Sequence, residues 1–265
     1  MPTLSALMSV YHATDAAELE LTLNSLDAQT RPADEVVVVF DGEVSGAVRG
    51  VVAKHGARVV ELPENVGLGR ALNAGLATIN ATYTARIDSD DAAKPERFAK
   101  QLAYLEAHPD VAALGSAMEE FEHTPGDRGT IRALPRDPNA YVKINSPLNH
   151  PAVTFRTDAV KAVGGYQHVP FMEDYDLWAR LIAAGHTLAN LDEPLTYFRV
   201  TDDQLRRRAS ADTRRAERIM QANLVEYGLI SRPRALVNLA VRNLYRALPI
   251  GLTKRVYSVL FHRGE

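Results

Sequence analysis

Three short runs of this sequence carry residue types able to do chemistry at a spacing that lets them act together. Asp88-Ser89-Asp90-Asp91 puts three carboxylates into four residues. Such a group repels itself unless it is solvated or holds a cation, and its all-oxygen character suits a hard ion such as Mg2+ or Mn2+. An ion there could bridge to a diphosphate and stabilise it as a leaving group. The same tetrad also suits a turn followed by a helix cap, with Pro95 marking a helix start. The second run is Glu173-Asp174-Tyr175-Asp176-Leu177-Trp178. Glu173 and Asp174, at the start of a helix, can project into a cleft and take a proton from a hydroxyl nucleophile. Acids in a first helical turn also complement the helix dipole, which is the reading favoured for Asp176. Trp178, the only tryptophan, suits the core, with an aromatic wall for a sugar as the alternative.

The third run is Asn65-Val66-Gly67-Leu68-Gly69-Arg70-Ala71-Leu72-Asn73. It departs from the dinucleotide fingerprint because the third glycine falls at Gly75. Glycines ahead of a helix still let a phosphate approach the backbone, and Arg70 could pair with a diphosphate oxygen. A plain loop and helix with a surface arginine fits as well. His150, in Asn149-His150-Pro151, has no second histidine at ligand spacing, which speaks against zinc. No G-x-S-x-G run is present, which disfavours an acyl-enzyme hydrolase.

The elements that must position these runs alternate in type. Residues 4–11, 35–40, 57–62 and 83–87 read as strands, and 36–39 is the unbroken valine run of a strand buried on both faces. Residues 16–29, 45–55 and 68–79 read as helices, the first with Leu19, Leu23 and Leu26 on one face and Asp15 as its cap. Such β-α-β alternation predicts a mostly parallel sheet flanked by helices, with ligands at the carboxyl ends of its strands. Tyr11, Asp41 and Asp88 all lie at such ends. Further on, 95–108 and 174–184 read as helices, the latter stopped by Gly185. Residues 111–115, 152–156 and 195–200 read as strands, 119–134 as a hairpin or loop excursion, and the chain beyond Asp203 as helical.

Bulk properties bound the answer. The chain has 265 residues, 46% hydrophobic and 24% charged, enough for one large α/β domain with an appendage. It has no cysteine, so disulfides, thiolate metal sites and cysteine nucleophiles are excluded. Residues 1–11 lack the pattern of a secretory signal, and no run reaches the roughly 18 apolar residues of a membrane span. The expected place is the cytoplasm or the cytoplasmic face of a membrane. The net charge of −3 hides an asymmetry. Residues 231–265 carry seven basic groups against one acid, net +6, which leaves −9 on the remainder. An acidic body with a basic, apolar tail suggests a surface-binding appendage and no nucleic-acid partner. A compositional boundary near 228–232 divides a catalytic domain (1–228) from a basic amphipathic helical tail (229–265). In that tail Leu236, Leu239, Leu244 and Leu248 stand among Arg242 and Arg246, a pattern suited to an anionic membrane surface or to packing on the domain.

Taken in order, these pieces resemble the family 2 glycosyltransferases of GT-A fold, over roughly residues 4–204, most of the chain. The matching segments are Ser9-Val10-Tyr11, Val36 to Gly42, Asn65 to Gly75, Ala85-Arg86-Ile87-Asp88-Ser89-Asp90-Asp91, Gly164-Gly165-Tyr166 and Glu173 to Trp178. Pro95, Arg97 and Gln101 follow the acidic tetrad as they do in the family. The pattern is similar to bacterial enzymes of amylovoran or capsule biosynthesis. The resemblance implies inversion at the anomeric carbon and transfer from a nucleotide sugar, UDP-sugar favoured, to a saccharide or lipid-linked acceptor.

It implies roles as well. Asp41 would contact the nucleotide base, with Tyr11 and His12 lining that pocket and Asn65 and Arg70 in the donor loop. Asp88 and Ser89 would lie near ribose and diphosphate, Asp90 with Asp88 would ligate Mn2+ or Mg2+, and Arg199 would stand close to the donor. Asp174 would be the base, with Glu173 beside it, and His150 and Trp178 would fall on the acceptor side. Two departures are visible: Phe40-Asp41-Gly42-Glu43 has one carboxylate where the family often has two, and His12 replaces the usual Asn. The processive Q-x-x-R-W signature is absent, which implies one sugar per binding event. Two other readings stay open: a sugar-phosphate nucleotidyltransferase, whose glycine loop after the first strand is missing at 11–15, and a non-catalytic nucleotide-sugar-binding subunit.

Overall fold

In the computed structural model, residues 2–135, 137–200 and 211–247 are described. The first half follows the alternation. Strands β1 (Leu4–Val10), β2 (Glu35–Phe40), β3 (Arg58–Glu61) and β4 (Tyr83–Arg86) form the parallel order β3-β2-β1-β4. Helices α1 (Ala16–Asp27), α2 (Gly46–Lys54) and α3 (Leu68–Thr78) connect them. Asp15 caps α1 by accepting from the Ala17 and Glu18 amides, and Ser45 caps α2 through Val48. The two faces of the sheet feed separate cores. Leu19, Leu23, Val48 and Val52 pack with Met8 and Val38 on one face; Leu72, Leu76 and Trp178 pack with Leu7 and Val39 on the other. Gly75 marks the closest approach of α3, where a Cβ would lie 2.6 Å from the Leu7 side chain.

Beyond β4 the sheet turns mixed, and only the N-terminal strands form the uniformly parallel part of what the sequence predicts. The strands added are β5 (Ala92–Ala93), β6 (Val111–Phe121), β7 (Thr130–Arg132), β8 (Thr154–Arg156) and β9 (Thr187–Arg199). They extend the order as β4-β8-β6-β9-β5, with β7 on β6. β8 runs antiparallel to β4 and β6, and β6 runs parallel to β9. The 119–134 excursion is a hairpin, β7 pairing antiparallel with the end of β6. Both β6 and β9 exceed their predicted lengths, because they pair with each other along most of their extent.

Helix α4 (Arg97–Ala107) covers the first face, and short helices α5 (Pro138–Tyr141) and α6 (Thr157–Ala162) precede α7 (Glu173–Ala183). Two helices follow, α8 (Ala211–Glu226) and α9 (Arg232–Ala247). α8 places Ala216, Met220 and Leu224 against Tyr175 and Ala179 of α7 and against Val142 in a third apolar cluster. Leu248 and the rest of the basic tail lie outside the described residues.

Candidate active site

The carboxyl ends of β1, β2 and β4 and the N-terminus of α7 gather the candidate residues. Asp41, just past β2, is 4% exposed. Its two carboxylate oxygens accept from the amides of Val66 (2.7 Å) and Gly67 (3.1 Å), and the Asn65 side-chain amide donates to its carbonyl. Asp41 therefore pins the loop that opens α3, and each oxygen keeps a further lone pair for a ligand. Gly42 at φ 80° makes this approach feasible, since a Cβ there would sit 2.7 Å from the Asn65 nitrogen. Tyr11 and His12 stand exposed at the end of β1 with their rings edge to face at 5.1 Å, and Arg70 is exposed in the first turn of α3.

Asp88, Asp90 and Asp91 bring one carboxylate oxygen each to within 4.8 Å of one another, the metal-capable cluster of acids among the described residues. Burial, then repulsion from Asp88 and Glu18, pushes the Asp90 carboxyl up to about 6. Asp91 is fully buried and is raised well above the carboxylate range, by burial first and then by Asp90 and Asp88. One Asp91 oxygen accepts from the Arg199 amide (2.8 Å); the other is buried without a partner. Three crowded carboxylates, one of them with an orphaned oxygen, fit a divalent cation of the Mg2+ or Mn2+ type. Ser89, in the middle of the tetrad, is half-buried. Arg199, at the end of β9, donates to the Asp90 carbonyl (3.0 Å) and the Glu122 carbonyl (2.9 Å) and lies 4.5 Å from the Phe121 ring centre. It ties the acidic loop to the far half of the sheet.

The second acidic run opens α7. Asp174 accepts from the Ser146 hydroxyl at 3.0 Å. It lines a cavity of about 220 Å3 shared with Ser146, Asn149, His150, Arg132 and Phe198. Burial raises the Asp174 carboxyl, against the opposing hydrogen bonds from the Tyr175 amide and Ser146. Burial and the neighbouring Asp174 charge push Glu173 up to about 7. His150 Nε2 and the Tyr166 hydroxyl are 2.9 Å apart. Burial, then the charge of Arg86, holds the imidazole well below its usual range, so it is neutral at pH 7. Trp178 corrects the acceptor-wall alternative. It is 0% exposed, packed with Leu177 and Leu181, and reaches the site only as support 6.1 Å behind the His150 ring.

Asp176 does more than complement a helix dipole. It is 0% exposed and accepts from Arg180 within α7 (2.8 Å), from Asn223 of α8 and from Tyr227 just past that helix (2.8 Å each). Arg180 in turn donates to the Val163 and Gly165 carbonyls. Asn73 of α3 binds both the amide and the carbonyl of Tyr166. The Gly164-Gly165-Tyr166 turn is thus clamped from α7 and α3, and the clamp sets the Tyr166 hydroxyl against His150.

One residue that motif spacing does not single out joins the two acidic runs. Arg86 ends β4 at 1% exposure, ion-paired with Asp88. Burial opposes its charge, but Asp88 outweighs that and keeps it protonated. Its Nε and Nη1 have no hydrogen-bond partner. Its charge acts on Asp90 and Asp91 on one side and on His150, Tyr166, Glu173 and Asp174 on the other. The metal-capable loop and the α7 carboxylates therefore lie within the field of one buried guanidinium. The signal available in the sequence is an arginine inside a buried central strand, a place that keeps a charge only with a partner.

With this geometry in view, similarity decides the family. The profile of glycosyl transferase family 2 matches residues 5–163. The chain belongs to that family. It is 36% identical over 264 residues to the amylovoran biosynthesis glycosyltransferase AmsE of Erwinia amylovora, covering 96% of this chain and 97% of that one. It is 32% identical over 268 residues to an Escherichia coli UDP-Gal:alpha-D-GlcNAc-diphosphoundecaprenol beta-1,3-galactosyltransferase, covering 99% and 98%. The fold matches S. aureus TarS 1-349 in complex with UDP-GlcNAc at a TM-score of 0.69, with 18% identity over 97% of this chain and 75% of that one. The chain is accordingly a glycosyltransferase of GT-A fold, with relatives named for bacterial polysaccharide biosynthesis.

Proposed function

We propose that this glycosyltransferase moves a single hexosyl unit from a nucleotide-sugar donor, UDP-sugar favoured, to a hydroxyl of a saccharide or lipid-linked saccharide, with inversion. The observation that carries the reading is the placement of Asp174. It is a buried carboxylate oriented by Ser146, on the wall of a 220 Å3 cavity, and it feels the charge of the guanidinium that pairs with Asp88 in the acidic loop. Such a carboxylate takes the proton of an acceptor hydroxyl as its oxygen attacks the anomeric carbon. The bond to the donor diphosphate breaks, and the nucleoside diphosphate leaves. Asp90 and Asp88 would hold Mn2+ or Mg2+, and such an ion would supply positive charge to stabilise the diphosphate leaving group.

In this reading Tyr11, His12, Asp41 and Asn65 hold the nucleoside. Arg70, Ser89 and Arg199 stand around the diphosphate, and Glu173 supports the base. His150, neutral and anchored by Tyr166, offers the acceptor a hydrogen bond. Residues 1–228 are the catalytic unit, 229–265 the basic tail, and the working place is the inner face of a membrane. E. coli and E. amylovora relatives named for a diphosphoundecaprenol acceptor and for amylovoran biosynthesis support a lipid-linked acceptor. The test is transfer from a panel of UDP-, GDP- and dTDP-sugars to lipid-linked and soluble saccharides, with Mn2+ or with EDTA. Metal-dependent transfer within one nucleotide class is expected. Metal-independent donor binding without turnover would return the chain to the binding-subunit reading.

A further inference from the structure

Helix α9 is docked inside out. Its polar side faces the protein: Asn238, 8% exposed, donates to the Lys143 carbonyl and to Gln221 of α8 at 2.9 Å each. Arg242 pairs with Glu217 of α8 and donates to the Ile144 carbonyl. Its apolar side faces away, with Leu236 68%, Val237 56%, Val241 61% and Leu244 69% exposed. At about 100° per residue these four fall within one arc of about 140°, opposite the docked residues. By the same geometry the exposed Arg232 flanks that arc on one side and the exposed Arg234 on the other, where its Nε also donates to Asn238 Oδ1 at 3.1 Å. The helix contains four arginines and no acid.

We propose that this outward face lies on an anionic lipid surface, with the four aliphatic side chains in the headgroup boundary and the flanking arginines on lipid phosphates. Charge decides the occupant. A second copy would set one all-basic helix against another, where like charges repel. A stripe along a helix about 24 Å long also falls short of the roughly 800 Å2 per partner of a stable dimer. An anionic bilayer complements both the apolar stripe and its rim. The placement fits the site as well. The 143–145 segment that receives Asn238 and Arg242 runs directly into Ser146, and Asn145 and Ser146 line the Asp174 cavity. A surface lying on α9 is adjacent to the wall of the cavity that would receive the acceptor. That last link rests on the acceptor reading of the cavity; the docking itself does not.

The experiment is sedimentation with phosphatidylcholine vesicles, with and without about 30% phosphatidylglycerol. It compares the full chain with L236S/V241S/L244S and with Arg232→Glu, alongside light scattering and transfer to a soluble acceptor. The full chain is expected to bind the anionic vesicles in a salt-sensitive way. The triple variant should lose about 10-fold or more of that binding, and Arg232→Glu a smaller part. Transfer to the soluble acceptor should be unchanged, since none of these side chains touches the site. Equal sedimentation of wild type and triple variant, or no preference for anionic vesicles, overturns the proposal. A dimer that the triple variant dissolves also overturns it, in favour of a second copy. If no protein transfers sugar yet the vesicle results hold, the catalytic reading fails and the docking stands.

Discussion

The two acidic runs look alike on paper and live in opposite environments. Asp88, Asp90 and Asp91 crowd one another within 4.8 Å, and one Asp91 oxygen is left buried without a partner. At α7 the three acids are divided among tasks. Asp176 is satisfied by Arg180, Asn223 and Tyr227, Asp174 is steadied by Ser146, and Glu173 stands next to it with a raised proton affinity. The first arrangement is short of positive charge and suits a cation. The second keeps one carboxylate paired for structure and holds two others ready to exchange protons. Counting acids does not separate these roles; the neighbouring cations and donors do.

The largest effect expected from breaking the comparison is on the base. Asp174→Asn should lower kcat by about 10^3 or more while the donor KM changes little, since general-base catalysis contributes about 10^2 to 10^4. Steady-state transfer kinetics with saturating acceptor check this. Asp90→Asn should cost about 10^2 in turnover and raise the donor KM, because its contribution runs through the ion and the diphosphate. A Mn2+ titration of activity should require far more metal than the wild type.

The structural partner in the second run should report in stability instead. Asp176→Asn leaves Arg180 buried at 8% exposure without its counter-charge. Breaking a buried pair in this way costs about 3 kcal/mol, to be read by urea unfolding.

The smallest effect is in pH. Glu173 is raised from 4.5 to about 7, so between those values the folded protein holds a proton that the unfolded chain has lost. Stability of the donor-free protein should therefore fall as pH rises through that window, and Glu173→Gln should flatten the slope in a Tm-versus-pH series. Separately, kcat/KM should decline toward acid pH as Asp174, whose carboxyl is raised by burial, takes up its proton.

Much of the positioning framework was legible. The valine run of β2, the capping residue Asp15, and the strand-end places of Tyr11, Asp41 and Asp88 follow from local patterns that the parallel half obeys. The far half was less so. β6 continues through Ser116, Glu119 and Glu120, and β9 begins at Thr187 and passes Asn190, Asp192, Glu193 and Pro194, a turn-like composition. These segments are strands because they pair with each other across a long sequence gap, with register shifts between Ser116 and Met118 that absorb the irregular residues. The same holds within the site. The acids of both runs could be named from spacing, but the roles of Arg86, Ser146 and the Asp176–Arg180 clamp depend on neighbours far along the chain, which no local window contains. Trp178 shows the converse: its type suited the core or a sugar wall, and packing buries it fully.

The central claim is that the two acidic runs divide donor binding from proton transfer. The most direct measurement is Mn2+-dependent UDP-sugar affinity, by calorimetry, for wild type, Asp90→Asn and Asp174→Asn. Wild-type affinity retained in Asp174→Asn and lost in Asp90→Asn is the result predicted. Equal loss in both, or an affinity indifferent to Mn2+ in the wild type, would contradict it.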